Sequence, residues 1–323
     1  MPHDDDARTP PLDALRALVA PVGTLAGAER LDGGTFATTY RVTLADGRRV
    51  VVKTAAADPG ALLSHERDLI RTEAEVYALA GDHPGLRMPP LLRTDFTRTL
   101  LPGDVVVAAH LDGVPWIEAG FGSPEEDPRA ARAQADLGAV MAALHALTGA
   151  RFGYPQSPVL QAPTWRGAFT AMVAALLADA ERAGVPDVPA DRVRAALAAH
   201  AAALDEVTEP RLVHTDLWPG NLFVDPATGA LLGVIDPERA LWGDPLLDLV
   251  GADPLWDGVP AAVAGSLDVT SPGAAARLLL ARMWLGLVMT VEIFVRGYTG
   301  DWVPGHEAAC RRTLARALDA LGA

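Results

Sequence analysis

Polar and apolar residues alternate over residues 38–44 (TTYRVTL) and 48–53 (RRVVVK), with Ala-Asp-Gly between them. That two-residue period predicts two half-buried strands joined as a hairpin. The second strand carries Lys53 at its end, with Val51 and Lys53 on one face and Val50 and Val52 on the other. From residue 64 to 81 the spacing turns helical, with Gly81 as the stop. Leu69, Ile70, Val76 and Tyr77 form the apolar stripe of this helix. Glu73 falls inside the stripe, whereas Glu75 falls on a more polar side. A carboxylate turned toward an apolar core requires a partner.

The run DVVVAAHLDGVPW, residues 104–116, reads as a buried strand that leaves through an Asp-Gly turn. It marks the expected boundary between an N-terminal lobe, residues 1–110, and a C-terminal lobe, residues 111–323. Beyond it the chain is alanine-rich and helical. Leu137, Val140, Met141, Leu144 and Leu147 give an amphipathic helix ending at Gly149, and residues 166–183, 190–206 and most of 273–322 read as further helices. Residues 149–165 read as a loop, and 212–236 return to short strands. There is no internal repeat.

Composition narrows the picture. The chain has 323 residues, half of them hydrophobic, which is enough for two lobes with real cores. Of its 27 basic side chains Lys53 is the only lysine. Its net charge of −14 argues against a nucleic-acid partner, because phosphate binding needs clustered positive charge. The acidity is compatible with a cationic small substrate and equally with a merely soluble surface. The acidic, polar N-terminus lacks the apolar run of a secretory signal. Residues 283–291, the longest charge-free apolar run considered, fall short of the roughly 20 residues of a membrane span. Cys310 stands alone, which excludes an internal disulfide and fits a cytoplasmic protein, monomeric or homodimeric.

The chemistry concentrates in residues 212–238, LVHTDLWPGNLFVDPATGALLGVIDPE. His214, Asp216 and Asn221 form H-x-D-L-x-x-x-N, and Asp236 follows after a hairpin signal. This is the spacing of the protein-kinase catalytic loop, with Ile-Asp-Pro where those enzymes have Asp-Phe-Gly. Transfer of a phosphoryl group to an alcohol needs a carboxylate for the hydroxyl proton and oxygen ligands that hold Mg²⁺ against the nucleotide phosphates. Asp216 suits the first task, and Asn221 with Asp236 suits the second. The rival phosphate devices fail: no G-x-x-x-x-G-K-[ST] is present, and GFGSPEE, residues 120–126, lacks the third glycine of a dinucleotide fingerprint.

HTDLWPGN and IDPE, with the upstream VVVK and TEAEVYAL, resemble the aminoglycoside phosphotransferase family of small-molecule kinases. HTDLWPGN is also similar to the fructosamine-kinase signature. The resemblance spans about residues 25–255 and implies an α+β, bilobal protein-kinase-like fold with a β-rich N-terminal lobe and a mostly helical C-terminal lobe. It implies ATP and Mg²⁺ as cofactors and a small-molecule hydroxyl as acceptor. Under it Lys53 binds the α- and β-phosphates, Glu73 pairs with Lys53, and Asp216 is the catalytic base. Asn221 and Asp236 hold Mg²⁺, Gly33 and Gly34 lie in the loop over the phosphates, and the backbone of Ala109, His110 and Leu111 receives adenine. Asp248 supports the catalytic loop. Trp218, Glu238 and Asp257 are candidates for acceptor contacts, and Trp242, Trp256, Asp301 and Trp302 are further candidates for an aromatic and acidic wall. Two departures stand out. GGTFATT replaces G-x-G-x-x-G, and Thr215 stands where relatives commonly have glycine, a variation taken as compatible with many turn geometries. Three functions stay open: an aminoglycoside-type kinase, a kinase of glycated amines, and a catalytically silent nucleotide-binding module.

Overall fold

The computed structural model describes residues 11–31, 37–55, 62–256, 263, 265 and 267–323. Helix α1 (Leu12–Val19) precedes strands β1 (Leu25–Leu31), β2 (Ala37–Leu44) and β3 (Arg49–Ala55). Helix α2 (Leu69–Asp82) and strands β4 (Leu91–Asp95) and β5 (Val105–Ala109) follow. The five strands form one antiparallel sheet in the order β1-β2-β3-β5-β4. The two faces of β3 divide as the alternation requires. Val50 and Val52 are buried with Leu15, Leu18 and Val42, whereas Val51 and Lys53 face a cleft.

The remaining chain is mostly helical, with β6 (Val114–Pro115), α3 (Pro128–His145), β7 (Phe152–Gly153), β8 (Gln161–Ala162), α4 (Trp165–Arg182), α5 (Ala190–Ala199) and α6 (Ala201–Leu204) first. Then come β9 (Arg211–Val213), β10 (Leu222–Val224), β11 (Leu231–Val234), β12 (Leu241–Gly243), α7 (Leu246–Ala252), α8 (Pro272–Val295) and α9 (Val303–Ala320). Strand β10 pairs with β11 and β6, and β12 pairs with β9 and β7. These two small sheets carry the ends of residues 212–238. Helix α8 is long and apolar enough to cross a membrane, but 78% of its most apolar window is buried inside the fold. It is the central helix of the larger core, packed with residues of α4 and α9 such as Phe169, Met172, Leu314 and Leu318.

Three expectations need correction. The helix read over 64–81 starts only at Leu69: residues Ser64–Glu66 form a 3-10 turn, and Asp68 adopts a left-handed φ of 60°. A local capping bond and tertiary bonds together override the helical spacing there. The Glu66 carboxylate accepts from the Leu63 N–H at 2.9 Å, and Asp179 of α4 takes both the N–H and the hydroxyl of Ser64 at 2.6 and 2.7 Å. The helix read over 190–206 breaks at His200 into α5 and α6. Residues 149–165 are not wholly loop, since β7 and β8 pair within them.

Candidate active site

A cavity of about 350 Å³ opens between the five-stranded sheet and the helical half. Its walls include Val51, Lys53, Glu73, Ala109, His110, Leu111, Trp218, Asn221 and Asp236. The structure therefore brings Lys53 and Asp236, 183 positions apart in sequence, onto one cavity. Gly33, Gly34 and Asp257 lie outside the described residues.

Lys53 is the centre of the cluster. Its ammonium stands 2.9 Å from Glu73 Oε2, 2.9 Å from Asp236 Oδ1 and 2.7 Å from Glu238 Oε2. Glu73 arrives from the stripe of α2, so the inward carboxylate has its partner. The Glu73 oxygen nearest Lys53 lies off the hydrogen-bonding direction, while Asp236 and Glu238 accept from Lys53 directly. Burial opposes charge on the ammonium, but the three carboxylates hold it protonated, well above the usual lysine range. Glu73 is also raised, to about 7, because burial and the nearby Asp236 and Glu238 outweigh the pull of Lys53. Glu238 is thus placed on Lys53 and does not appear among the residues lining the cavity.

Asp216 sits at the end of a tightly bonded loop after β9. Asn221 Nδ2 donates to the Asp216 carbonyl at 2.9 Å and to its Oδ2 at 3.0 Å. His214 Nδ1 accepts from the Asp216 N–H at 3.3 Å, so Nε2 carries the proton and donates to the Ile235 carbonyl at 3.0 Å. Asp248 Oδ1 accepts from the N–H groups of both His214 and Thr215 at 2.8 Å, and its Oδ2 bonds His145 Nε2 at 2.8 Å. Burial raises the Asp216 carboxyl above its ordinary value, Asp236 and Glu238 add to the rise, and Arg239 and His214 oppose it.

Thr215 does not adopt an ordinary turn geometry. Its φ is +66°, a left-handed value that a β-branched residue tolerates poorly and a glycine freely. The strain is held by its N–H to Asp248 and by its hydroxyl, which donates to the Arg239 carbonyl at 3.0 Å. Asp236, at φ +60°, is also left-handed, and the following Pro237–Arg239 3-10 turn swings Glu238 back toward Lys53.

At the opposite wall, the Ala109 N–H donates to Pro90 and the His110 N–H to Arg49, at 2.9 and 3.2 Å. Of the three residues, Leu111 alone keeps its N–H without an acceptor among the described residues. Trp218 also lines the cavity, with its ring against Gly220, where a Cβ would come within 2.2 Å of the indole. It is neither a core tryptophan nor part of a separate wall. The wall imagined from the other residues does not assemble. Trp242 packs on Gly149, Trp256 lies against the guanidinium groups of Arg282 and Arg316, and Trp302 is half exposed beside Tyr298 and His306.

Sequence reasoning overlooked Tyr77 and Arg239. The Tyr77 hydroxyl accepts from the Asp236 N–H at 3.4 Å, and its place one turn after Glu73 on the same stripe was the available signal. Arg239 lies in a second buried cluster with Glu66, Glu292 and Arg296, assembled from segments no local pattern connects.

For a divalent cation the donor set fits. Asn221 Nδ2 is committed to Asp216, which leaves its carbonyl oxygen, and Asp236 supplies a second hard oxygen on the same cavity. Among the described residues no group of three or more His, Cys, Asp or Glu forms a cage. Two protein oxygens with the rest from water and phosphate suit Mg²⁺.

The profile of the family described as "Phosphotransferase enzyme family" matches residues 27–271. Among solved structures, a candidate fructosamine-3-kinase from Thermobifida fusca YX-ER1 is 23% identical, with a TM-score of 0.67 over 95% of this chain and 98% of that one. A thermostable mutant of aminoglycoside phosphotransferase APH(4)-Ia, solved with AMP-PNP and hygromycin B, is 17% identical, with a TM-score of 0.65 over 95% and 98%. Aminoglycoside 2'-phosphotransferase IIIa, solved with GDP, is 18% identical, with a TM-score of 0.60 over 94% and 98%. No curated protein matched. The structural likeness establishes the protein-kinase-like fold, and the family match over most of the sequence settles the rest: the chain belongs to the phosphotransferase enzyme family, the ATP-dependent small-molecule kinases.

Proposed function

We propose that the protein moves the γ-phosphoryl group of ATP to a hydroxyl of an aminoglycoside or a related aminated natural product, in the cytoplasm. The observation that carries the reading is the convergence of Lys53, Asn221, Trp218 and Asp236 on one cavity, beside the bonded loop that holds Asp216. Asp216 accepts the acceptor's proton as its oxygen bonds to the γ-phosphorus and the bond to the β-γ bridging oxygen breaks, releasing ADP. Its Oδ2 is fixed by Asn221, and Oδ1 has no hydrogen-bond partner among the described residues, which leaves it for the hydroxyl. Lys53 neutralises the α- and β-phosphates. Asn221 and Asp236 would hold Mg²⁺, which would supply the remaining charge neutralisation when bound. Leu111 N–H, with the carbonyls beside it, offers the edge for adenine.

A second acceptor class, glycated amines, is favoured by Trp218 in HTDLWPGN and by the likeness to the candidate fructosamine-3-kinase. ATP consumption by the purified protein with Mg²⁺, across aminoglycosides, peptide antibiotics and glycated amines, separates the two. Turnover with aminoglycosides is the expected result. Turnover confined to glycated amines selects the second reading, and firm ATP binding with no turnover on any acceptor points to a silent nucleotide-binding module.

A further inference from the structure

Two of the three Lys53 N–H donors are committed, to Asp236 and Glu238, and the Glu73 carboxylate crowds the same ammonium at 2.9 Å. An anionic phosphate can approach an ammonium already surrounded by three carboxylates only if one of them gives way. The three differ in how free they are to leave. The Asp236 side chain is 38% exposed and lines the cavity, whereas those of Glu238 and Glu73 are 11% and 2% exposed. Glu238 is also the shortest of the three contacts and one of the two that accept in good alignment. Its place is fixed by covalent geometry: the left-handed Asp236, then Pro237, open the 3-10 turn that brings the carboxylate under the ammonium.

Resting on the phosphotransferase reading, we infer that Glu238 is a positioning residue that stays on Lys53 through the reaction, keeping the ammonium aimed into the cleft when Asp236 exchanges Lys53 for the metal. Two carboxylates from separate elements, one on α2 and one on the turn after Asp236, then hold the lysine while one N–H is released to phosphate. A helix carboxylate alone would leave Lys53 free to swing with α2. The turn carboxylate ties its position to the same short segment that carries Asp236.

Because Lys53 is the only lysine in 323 residues, lysine-specific isotope labelling gives one side-chain NMR signal, and it reports on this cluster alone. The test compares wild type with Glu238→Gln, each free and saturated with ADP and Mg²⁺. The expected result is a Lys53 signal that differs between the two proteins in both states, with Mg·ADP affinity roughly ten-fold weaker in the variant, the scale of one charge-assisted hydrogen bond. Glu238→Asp, which keeps the charge but withdraws it by one methylene, is expected to shift the signal in the same direction and to weaken ADP by less. If the Lys53 signals of wild type and Glu238→Gln coincide once Mg·ADP is bound, Glu238 is only a resting-state partner and the inference fails. A loss of ADP affinity seen with Mg²⁺ but absent in EDTA would also overturn it, by making Glu238 a metal ligand. Wild-type protein that binds no ADP at all would overturn the phosphotransferase reading itself.

Discussion

Two buried ionic clusters flank Asp216, and they are built on opposite plans. Around Lys53 one cation meets three carboxylates, a formal excess of two negative charges beside an open cavity. Around Arg239 and Arg296 two cations meet Glu66 and Glu292, formally neutral, with side chains 13% exposed or less. The balanced cluster joins the turn before α2 to α8 and to the turn after Asp236, so it serves to hold the halves of the molecule together. Under the proposed function, the unbalanced one would be completed by a cationic metal with the phosphates it carries. Charge imbalance in a buried cluster is therefore the better guide to function, and balance the better guide to architecture. Asp216 feels both, with Arg239 favouring its ionised form and Asp236 and Glu238 disfavouring it.

The contrast is breakable from either side. Glu292→Gln leaves Arg239 and Arg296 short of a counter-charge in a buried site, where losing one partner costs on the order of 3–5 kcal/mol. Urea denaturation should show that loss with an unchanged m-value; a change within about 0.5 kcal/mol would mean the cluster is not structural.

His65, stacked on Tyr154 at 5.2 Å beside that cluster, gives a pH signature. Burial, reinforced by Arg239 and Arg296, lowers its pKa from 6.5 to about 3. The unfolded chain then binds a proton that the folded chain refuses, so stability falls as pH drops below 6.5 toward 3. His65→Phe keeps the stacking and removes the titration, and the slope of stability against pH over that window should flatten. An unchanged slope would assign acid sensitivity elsewhere.

Removing a carboxylate from the unbalanced cluster should have the opposite sign. Glu238→Gln is expected to raise the melting temperature of nucleotide-free protein in EDTA by a few degrees, about 1 kcal/mol, while weakening Mg·ADP binding. A lower melting temperature would show that Glu238 is primarily a fold residue. The smallest effect is expected at Thr215. Glycine relieves the left-handed φ, worth about 1–2 kcal/mol, but forfeits the hydroxyl bond to Arg239, so Thr215→Gly should fall within about 1 kcal/mol of wild type by denaturation. A larger loss would give that hydroxyl a structural role beyond one bond.

The same comparison explains how much was legible in sequence. Asp216, Asn221 and Asp236 sit at fixed separations in one segment, and Lys53 and Glu73 each announce themselves by breaking a local pattern, a lone lysine on a strand and a carboxylate in an apolar stripe. The chemistry proposed for them requires that spacing, which makes it readable from the sequence alone. The Glu66–Arg239–Glu292–Arg296 cluster has no such signature, because its members meet only through tertiary packing across as many as 230 positions. The helical spacing of residues 64–68 misleads for the same reason: Ser64 is held by Asp179 and Glu66 by Arg296, both distant in sequence. Adjacency to Asp236 suggests an acceptor contact for Glu238, but it says nothing about which way a left-handed turn will send the side chain that follows.

The central claim is that Asp216 takes the proton from an acceptor hydroxyl while the Lys53 cluster holds the nucleotide. Its most direct test measures phosphoryl transfer and ADP affinity in parallel for wild type and Asp216→Asn, on whichever acceptor supports turnover. The prediction is a fall in kcat on the order of 10²–10⁴-fold with ADP affinity unchanged within about two-fold. Near wild-type turnover in Asp216→Asn would contradict it.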